Sequence, residues 1–428
     1  MPHVIVIGGG LAGLAAAAAL GDAGYQIDLY ESRPFLGGRA TSYTLPNAES
    51  VDNCQHILLK CCVNLLNFYE RLGVRSKVEF FDEIPFMEPG GRVSVLKAGL
   101  LPAPIHFSGS FLRLRFLRMA DKIAIGRALL ALRLEYGSRA DLEFISMLDW
   151  LREKKQTERA IDRFWRPVLV SAINEELDRM AAAHGFQVFW LGFLASNDSY
   201  QMGVPAVPLG QLYSSASWTK LSNVSIHFRS PVERLDPDRG VCIAGEWHKA
   251  DAYISAVPYE RIVALTPGLE VDVSKFEHSS ITGIHLWFDR PVTKLAHAAL
   301  LDRNIQWFFN KDGGKYLQLV VSASKGLLDM GRAEVVELAV KELGDFLPAV
   351  KQAKLVKAHV VKEVRATFSA LPGLEAHRPG AVTKWPNVFL AGDWTRSGWP
   401  ATMEGAVRSG YLAAEAVTGG RFLIPDVA

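Results

Sequence analysis

Residues 4 to 13 read VIVIGGGLAG, and this run restricts the fold more than any other in the chain. Val4 to Ile7 has the length and branched side chains of a buried strand. Gly8, Gly10 and Gly13 then make a G-x-G-x-x-G turn, and Leu14 to Leu20 begins a helix. In such a unit the first glycine permits the tight turn and the second lets the backbone approach a pyrophosphate. The third lets helix pack closely on strand, while the helix N-terminus faces the anion. A second strand, QIDLYE, ends in Glu31, eighteen residues after Gly13. That is near the spacing at which a carboxylate accepts hydrogen bonds from a ribose hydroxyl. The segment predicts a βαβ unit that binds a dinucleotide, with Gly8, Gly10, Leu11, Ala12, Gly13, Glu31 and Ser32 as contacts. The same residues have the apolar length of a signal peptide, but no Lys or Arg precedes them and the glycines would go unexplained.

The rest of the composition narrows the class. A chain of 428 residues, 49% hydrophobic and 21% charged, is long enough for two or three globular domains. A net charge of +2 and the lack of a long Lys/Arg tract give no reason to expect nucleic acid. Four cysteines in this length do not make a disulfide framework and fit a reducing, cytoplasmic setting. No run approaches a transmembrane helix.

Two further segments return to the cofactor. After Glu31 comes SRPFLGGRATSY, whose Gly37-Gly38-Arg39 turn lies where the chain can wrap over a diphosphate with a fixed cation. Much later comes NVFLAGDWTRSGWPATMEGAVRSGYLAAEAV: a strand from Val388 to Ala391, Gly392-Asp393, and a helix from about Thr402 to Val417. Small residues such as Gly405, Ser409 and Gly410 let that helix pack tightly, and Asp393 suits sugar hydroxyls.

These segments resemble those of FAD enzymes in the amine-oxidase and phytoene-desaturase superfamily. The resemblance implies that Gly37, Gly38 and Arg39 lie near the FAD diphosphate. It also implies that Gly392, Asp393, Met403 and Glu404 reach the ribityl chain and flavin, and that the Val232 backbone meets the adenine side. The fold implied is a discontinuous Rossmann-like α/β FAD domain from residues 1–104, 223–270 and 385–428. An α+β substrate domain from 105–222 and 271–384 is inserted into it.

The stretch VDNCQHILLKCC holds three of the four cysteines. In the superfamily a segment like V-D-x-G-x-H follows the GGR turn, and here Cys54 stands where glycine is frequent. The helical stripe Leu58, Cys62, Leu65, Leu66, Tyr69 and Leu72 predicts a helix from about Ile57 to Leu72, with Cys62 on its buried face. No second ligand pair stands at short spacing to make a zinc site, so no metal is expected. Cys61 and Cys62, adjacent on a helix, point apart and do not form a redox pair. Gln55 and His56 are candidate cofactor contacts, and Asp52 and His56 candidate general acids. Asn174 and Glu175, in SAINEE, are weaker candidates that read equally as a solvated helix face.

Residues 105–222 read as largely helical. Within FLRLRFLRMADKIAIGRALLAL, Leu112, Phe116, Met119 and Ile123 form a stripe beside Arg115, Arg118 and Lys122. A helix near 109–133 of this kind either rests on an anionic membrane surface or packs into the core with solvated arginines. A finer resemblance, carried by FWRPVLVSAINE, MGVPAVPLGQLY and GWPATMEGAVRSGY, is to the squalene-associated branch of the superfamily, the hydroxysqualene dehydroxylases of hopanoid pathways. It implies reductive removal of an allylic hydroxyl from a long isoprenoid. No second dinucleotide fingerprint is present for NADPH, so the electron donor stays unnamed. Carotenoid-type desaturation, amine oxidation with Trp394 and Trp399 as aromatic walls, and a prenyl-binding escort without flavin chemistry are the rivals.

Overall fold

The computed structural model of the chain describes residues 1–46 and 49–427. At its centre is a parallel five-stranded sheet built from distant pieces of sequence. Across the sheet run Val224–His227, Gln26–Tyr30, His3–Ile7, Ala252–Ser255 and Val388–Leu390. Parallel neighbours need crossover connections, so each long excursion of the chain can return to this sheet as another strand. The middle strand is buried on both faces, as its unbroken Val/Ile run requires.

Helices Leu11–Asp22 and Met403–Thr418 pack against each other beside this sheet. Their backbones nearly touch: a Cβ on Gly410 would stand 2.2 Å from the Ala12 carbonyl oxygen. The small residues of both helices have this consequence, and a larger side chain at the crossing would force the helices apart.

The second layer is a seven-stranded mixed sheet. Its order is Leu355–Phe368, His278–Phe288, Tyr316–Ser322, Trp307–Asp312, His297–Leu300, Ile84–Met87 and Val93–Leu96. The last two strands fall within 1–104, grouped by sequence with the FAD domain, but they extend this sheet instead. Ile84–Met87 is buried throughout and finds its parallel partner in His297–Leu300.

Helices Met147–Glu153, Arg166–Ile173 and Ala182–Phe189 cover one side of the molecule, the second entered through a wider π turn at Ile161–Trp165 and the third continued by another at Trp190–Leu194. Their interior is aromatic, with Trp150 and Phe186 ring centroids 4.8 Å apart and Trp165 and Phe189 4.6 Å apart. Edge-on pairs of this kind add to the area they bury.

Three local expectations are corrected. The helix expected from Ile57 begins at Val63, because Leu58 and Leu59 pair with Gly203 and Met202 as a short strand. Cys61 and Cys62 therefore sit in the turn before the helix, with Cys62 at its N-cap position. The expected helix near 109–133 is broken into Ser108–Leu112 and Met119–Glu135. Phe116 leaves the proposed stripe and turns inward, its ring 5.3 Å from that of Phe86. Asn174 and Glu175 are not a solvated face, for both are buried just past the end of the Arg166–Ile173 helix. Asn174 adopts the left-handed conformation (φ 59°) and ties that helix end to strand Leu355–Phe368 and to the residue after strand Tyr316–Ser322, donating to Thr367 Oγ1 and accepting from the Ala323 amide.

Candidate cofactor and substrate site

The glycine turn is shaped for a close backbone approach. Gly8 has φ 105°, and a Cβ there would meet the Ala256 carbonyl oxygen at 2.9 Å. A Cβ on Gly13 would lie 2.0 Å from the Gly8 carbonyl oxygen, so helix and turn are in contact through this glycine. Gly10, in contrast, faces open space. No side chain caps the helix that starts at Leu11, and the Ala12 and Gly13 amides have no partner among the described residues. The positive end of the helix is thus presented on the open side of Gly10, which fits a pyrophosphate.

Glu31 stands at the edge of this turn. Its carboxylate accepts from the Gly9 amide at 2.7 Å, the Arg33 amide at 2.7 Å and the Ser32 hydroxyl at 3.1 Å. The strand that begins at Val232 arrives alongside, for the Ser230 amide donates to the Glu31 carbonyl. Acid, glycine turn and Val232 are therefore neighbours, an arrangement suited to ribose and adenine. Glu31→Ala is expected to purify with little or no flavin. The ratio of visible flavin absorbance to protein absorbance checks this, and full stoichiometry in the variant would refute the ribose role.

The GGR turn closes over the glycine turn. The Gly37 amide donates to the Gly9 carbonyl at 2.8 Å, and a Cβ on Gly38 would lie 3.1 Å from Gly10 Cα. Arg39 reaches across the sequence: Nη2 donates to Asp393 Oδ1 at 2.6 Å and Nη1 to the Ala366 carbonyl at 2.8 Å. Burial works against this guanidinium, but the Asp393 carboxylate, with Glu260 and Glu363 more distant, more than offsets it and raises its pKa. The first and last cofactor segments are thereby locked together.

Behind Asp393 lies a residue that the sequence did not single out. Arg378 is almost wholly buried and donates to the carbonyls of Asp393 (2.9 Å) and Thr395, while pairing with Glu375 at 2.6 Å. It holds the 393–397 loop from below, and nothing in its local sequence signals that task. Gly392 takes φ 141°, with its amide donating to Ser409 Oγ at 2.9 Å.

Met403 and Glu404 begin the last long helix, and their amides are open among the described residues. The Glu404 side chain is committed elsewhere. It is fully buried and accepts from the Asn64 amide (3.2 Å), Asn64 Nδ2 (2.9 Å) and the Leu65 amide (2.7 Å), capping helix Val63–Arg71. What Glu404 offers a cofactor is its backbone.

The segment from Asp52 to His56 runs between these parts. Cys54 has φ 59°, so cysteine occupies the left-handed backbone that glycine prefers. Its side chain fits because Gly283 opposes it: a Cβ on Gly283 would meet Cys54 Cα at 3.1 Å and Sγ at 3.2 Å. Burial pushes the Cys54 thiol up to about 12. Among the described residues, buried Asn53 Oδ1 and Gln55 Oε1 find no partner, which fits acceptors for a bound group. Asp52 Oδ1 accepts from the Ser42 hydroxyl at 2.7 Å and the Leu209 amide at 2.9 Å, and Asp52 Oδ2 lies 3.8 Å from Lys311 Nζ. Burial lowers the pKa of Lys311 against the pull of Asp52, and burial also lowers that of His56. A half-buried ammonium beside a carboxylate is another feature that the sequence alone did not reveal.

Trp394 and Trp399 do not form an open cage. Both are buried, with the Trp394 ring N–H donating to the Val257 carbonyl and that of Trp399 to Asp426. One apolar cluster joins Trp394 and Leu390 to the aromatic interior of the helical block.

Sheet order, glycine turn and the paired returning segments define an FAD-dependent oxidoreductase with a separate substrate layer. A model of the flavin-containing amine oxidoreductase family matches residues 11–418, and the chain belongs to that family. Its cofactor is FAD. Among curated proteins it is similar to a probable zeta-carotene desaturase of Synechococcus elongatus, 25% identical over 97% of this chain and 98% of that protein. It is also similar to the 15-cis-phytoene desaturase of the same organism, 26% identical over 97% of this chain and 95% of that one. Among solved structures, an oxidoreductase of Methanosarcina mazei superposes with TM-score 0.73 at 17% identity, covering 98% of this chain and 100% of the other. Putrescine oxidase bound to putrescine gives 0.71 at 15% identity over 98% and 99% of the two chains, and both structures show the shared fold.

Proposed function

We propose that this flavoprotein removes the allylic hydroxyl of hydroxysqualene reductively, giving squalene. The observation that carries the reading is an apolar cleft of about 290 Å³, lined by Phe164, Phe189 and Phe193 and set in the aromatic cluster that extends to Trp394 beside the Asp393 loop. Such a space suits a long hydrocarbon better than a small charged amine, whose cation would lie there desolvated. Bound FAD, once reduced, supplies hydride. The chain supplies the rest: the apolar walls exclude water, and the Asp52–Lys311 pair with His56 forms a proton-handling group at the Cys54 segment. Lys311, its ammonium weakened by burial, is suited to protonate a departing hydroxyl, with Asp52 holding it in place. With that proton the hydroxyl would leave as water, and reduced FAD held there would supply the hydride that replaces it at carbon.

A second reading has its own support. The curated relatives include a probable zeta-carotene desaturase and a 15-cis-phytoene desaturase, and the same pocket would suit oxidation of a carotenoid precursor. The two readings run in opposite redox directions, so one anaerobic experiment separates them. Hydroxysqualene added to the reduced holoprotein is expected to reoxidise the flavin in step with squalene formation. No reoxidation there, with reduction of the oxidised protein by 15-cis-phytoene, would replace the first reading with the second.

A further inference from the structure

Helix Met119–Glu135 is apolar on two faces, and the protein covers only one. Ile125, Ala128 and Leu132 are buried, while Met119, Ile123, Leu130 and Leu134 are all exposed by half or more. At spacings of four, seven and four residues these four fall on one side of the helix. The segment before it, loop and short helix Ser108–Leu112, adds Leu100, Leu101, Ile105 and Leu112. Half of the sixteen large hydrophobic side chains exposed among the described residues therefore lie between positions 100 and 134. Scattered exposed leucines mean nothing, but a contiguous band of this kind marks a contact surface.

Charge identifies the partner. Residues 97–134 carry seven cations against one acid, in a chain whose net charge is only +2. The acid, Asp121, is buried and spent on the Arg118 amide at 2.8 Å and the Thr157 hydroxyl at 2.7 Å. Lys122 and Arg127 flank the exposed stripe. Lys97, Arg113, Arg115 and Lys122 border a recess of about 640 Å³ beside it, in which Glu83 is the one acid and is paired with Lys97. Apolar residues ringed by cations match a bilayer with anionic headgroups.

Next to the stripe a cleft of about 290 Å³ enters the protein. Ile105, Leu130 and Arg133 stand at its sides, and Phe164, Phe189 and Phe193 line it within the aromatic interior. Both π turns contribute to its wall, through Phe164 and Phe193. We propose that this face docks on an anionic lipid bilayer, and that the cleft is the port through which a hydrophobic substrate passes from bilayer to cofactor. The port rests on the isoprenoid reading above; the docking does not.

The test is sedimentation of the FAD-loaded protein with vesicles of phosphatidylcholine alone or mixed with phosphatidylglycerol, none containing isoprenoid. Binding is expected to the mixed vesicles, to fall with added salt, and to drop about fivefold for each cation removed in an Arg113→Gln/Arg115→Gln/Arg127→Gln variant. A Met119→Ser/Ile123→Ser variant is expected to bind both vesicle types less. Flavin content and Tm confirm that the variants are folded, since every changed residue is exposed. Equal binding by the charge variant, no binding by the parent, or a vesicle-free dimer that the serine variant dissolves would overturn the docking. For the port, the charge variant should lose turnover of hydroxysqualene held in vesicles but keep it for substrate dispersed in detergent. Equal losses on both would overturn the port, whereas no turnover by the parent in either form would count against the isoprenoid reading and leave the docking result standing.

Discussion

Gly13→Ala is expected to purify without flavin and to unfold at a lower temperature even when compared with apoprotein. The added Cβ would stand 2.0 Å from the Gly8 carbonyl oxygen and 3.2 Å from Ala256 Cβ. The nearer obstacle is backbone, so no side-chain rotation relieves it. The helix must lift from the turn, and overpacking of this sort costs about 3 kcal/mol, or roughly 5 °C in Tm. Lifting the helix also moves the Ala12 and Gly13 amides from the pyrophosphate position. Gly10→Ala is the informative contrast, because, its chain neighbours apart, no atom of the described residues lies within 4 Å of where its Cβ would be. That variant should keep the apoprotein Tm and lose flavin only through the space it takes from the ligand. Absorbance ratio and thermal unfolding of the two apoproteins distinguish these outcomes. Unchanged flavin and Tm in Gly13→Ala would mean that the turn does not hold the cofactor in this way.

The contrast also shows what a sequence can and cannot display. The glycine turn and the helix starting at Met403 were legible because their signals are local: glycine spacing and a run of small residues. The Thr402 hydroxyl accepts from the Gly405 amide, as an N-cap should. The Arg39–Asp393 pair spans 354 residues of chain, and neither local sequence names its partner. Arg378 is invisible for the same reason, since its partners are carbonyl oxygens that any residue carries. Cys54 was recognised as a departure from glycine, but the compensating glycine is Gly283 in a strand of the other sheet. The break in the 109–133 helix turned on whether Phe116 would stay on an exposed stripe or find Phe86. Periodicity gives no weight to a partner that only the fold supplies. Tertiary packing won there, and the exposed stripe moved to residues 119–134.

The stability of the parent protein relative to Glu404→Gln is expected to fall between pH 5 and pH 8. Burial pushes the Glu404 carboxyl up to about 7 from an ordinary value of 4.5, against three donors from Asn64 and Leu65 and the nearby Arg408. The folded protein therefore holds a proton that the unfolded chain releases between those values. Where the folded state binds more protons, stability falls as pH rises, so the loss grows from about pH 4.5 and is complete above about pH 7. A shift of this size corresponds to roughly 3 kcal/mol. Glutamine carries no charge at any of these pH values but brings two N–H donors, one end of which must face the donors of Asn64 or Leu65. That mismatch costs about 1 kcal/mol. The variant is thus expected to be the less stable protein at pH 5 and the more stable one at pH 8, with the curves crossing between. Denaturant unfolding of both holoproteins in excess FAD across this range measures the difference, in which contributions from every other titrating group cancel. Parallel curves would mean that Glu404 keeps its charge in the folded state, and that the three donors at the start of helix Val63–Arg71 outweigh its burial.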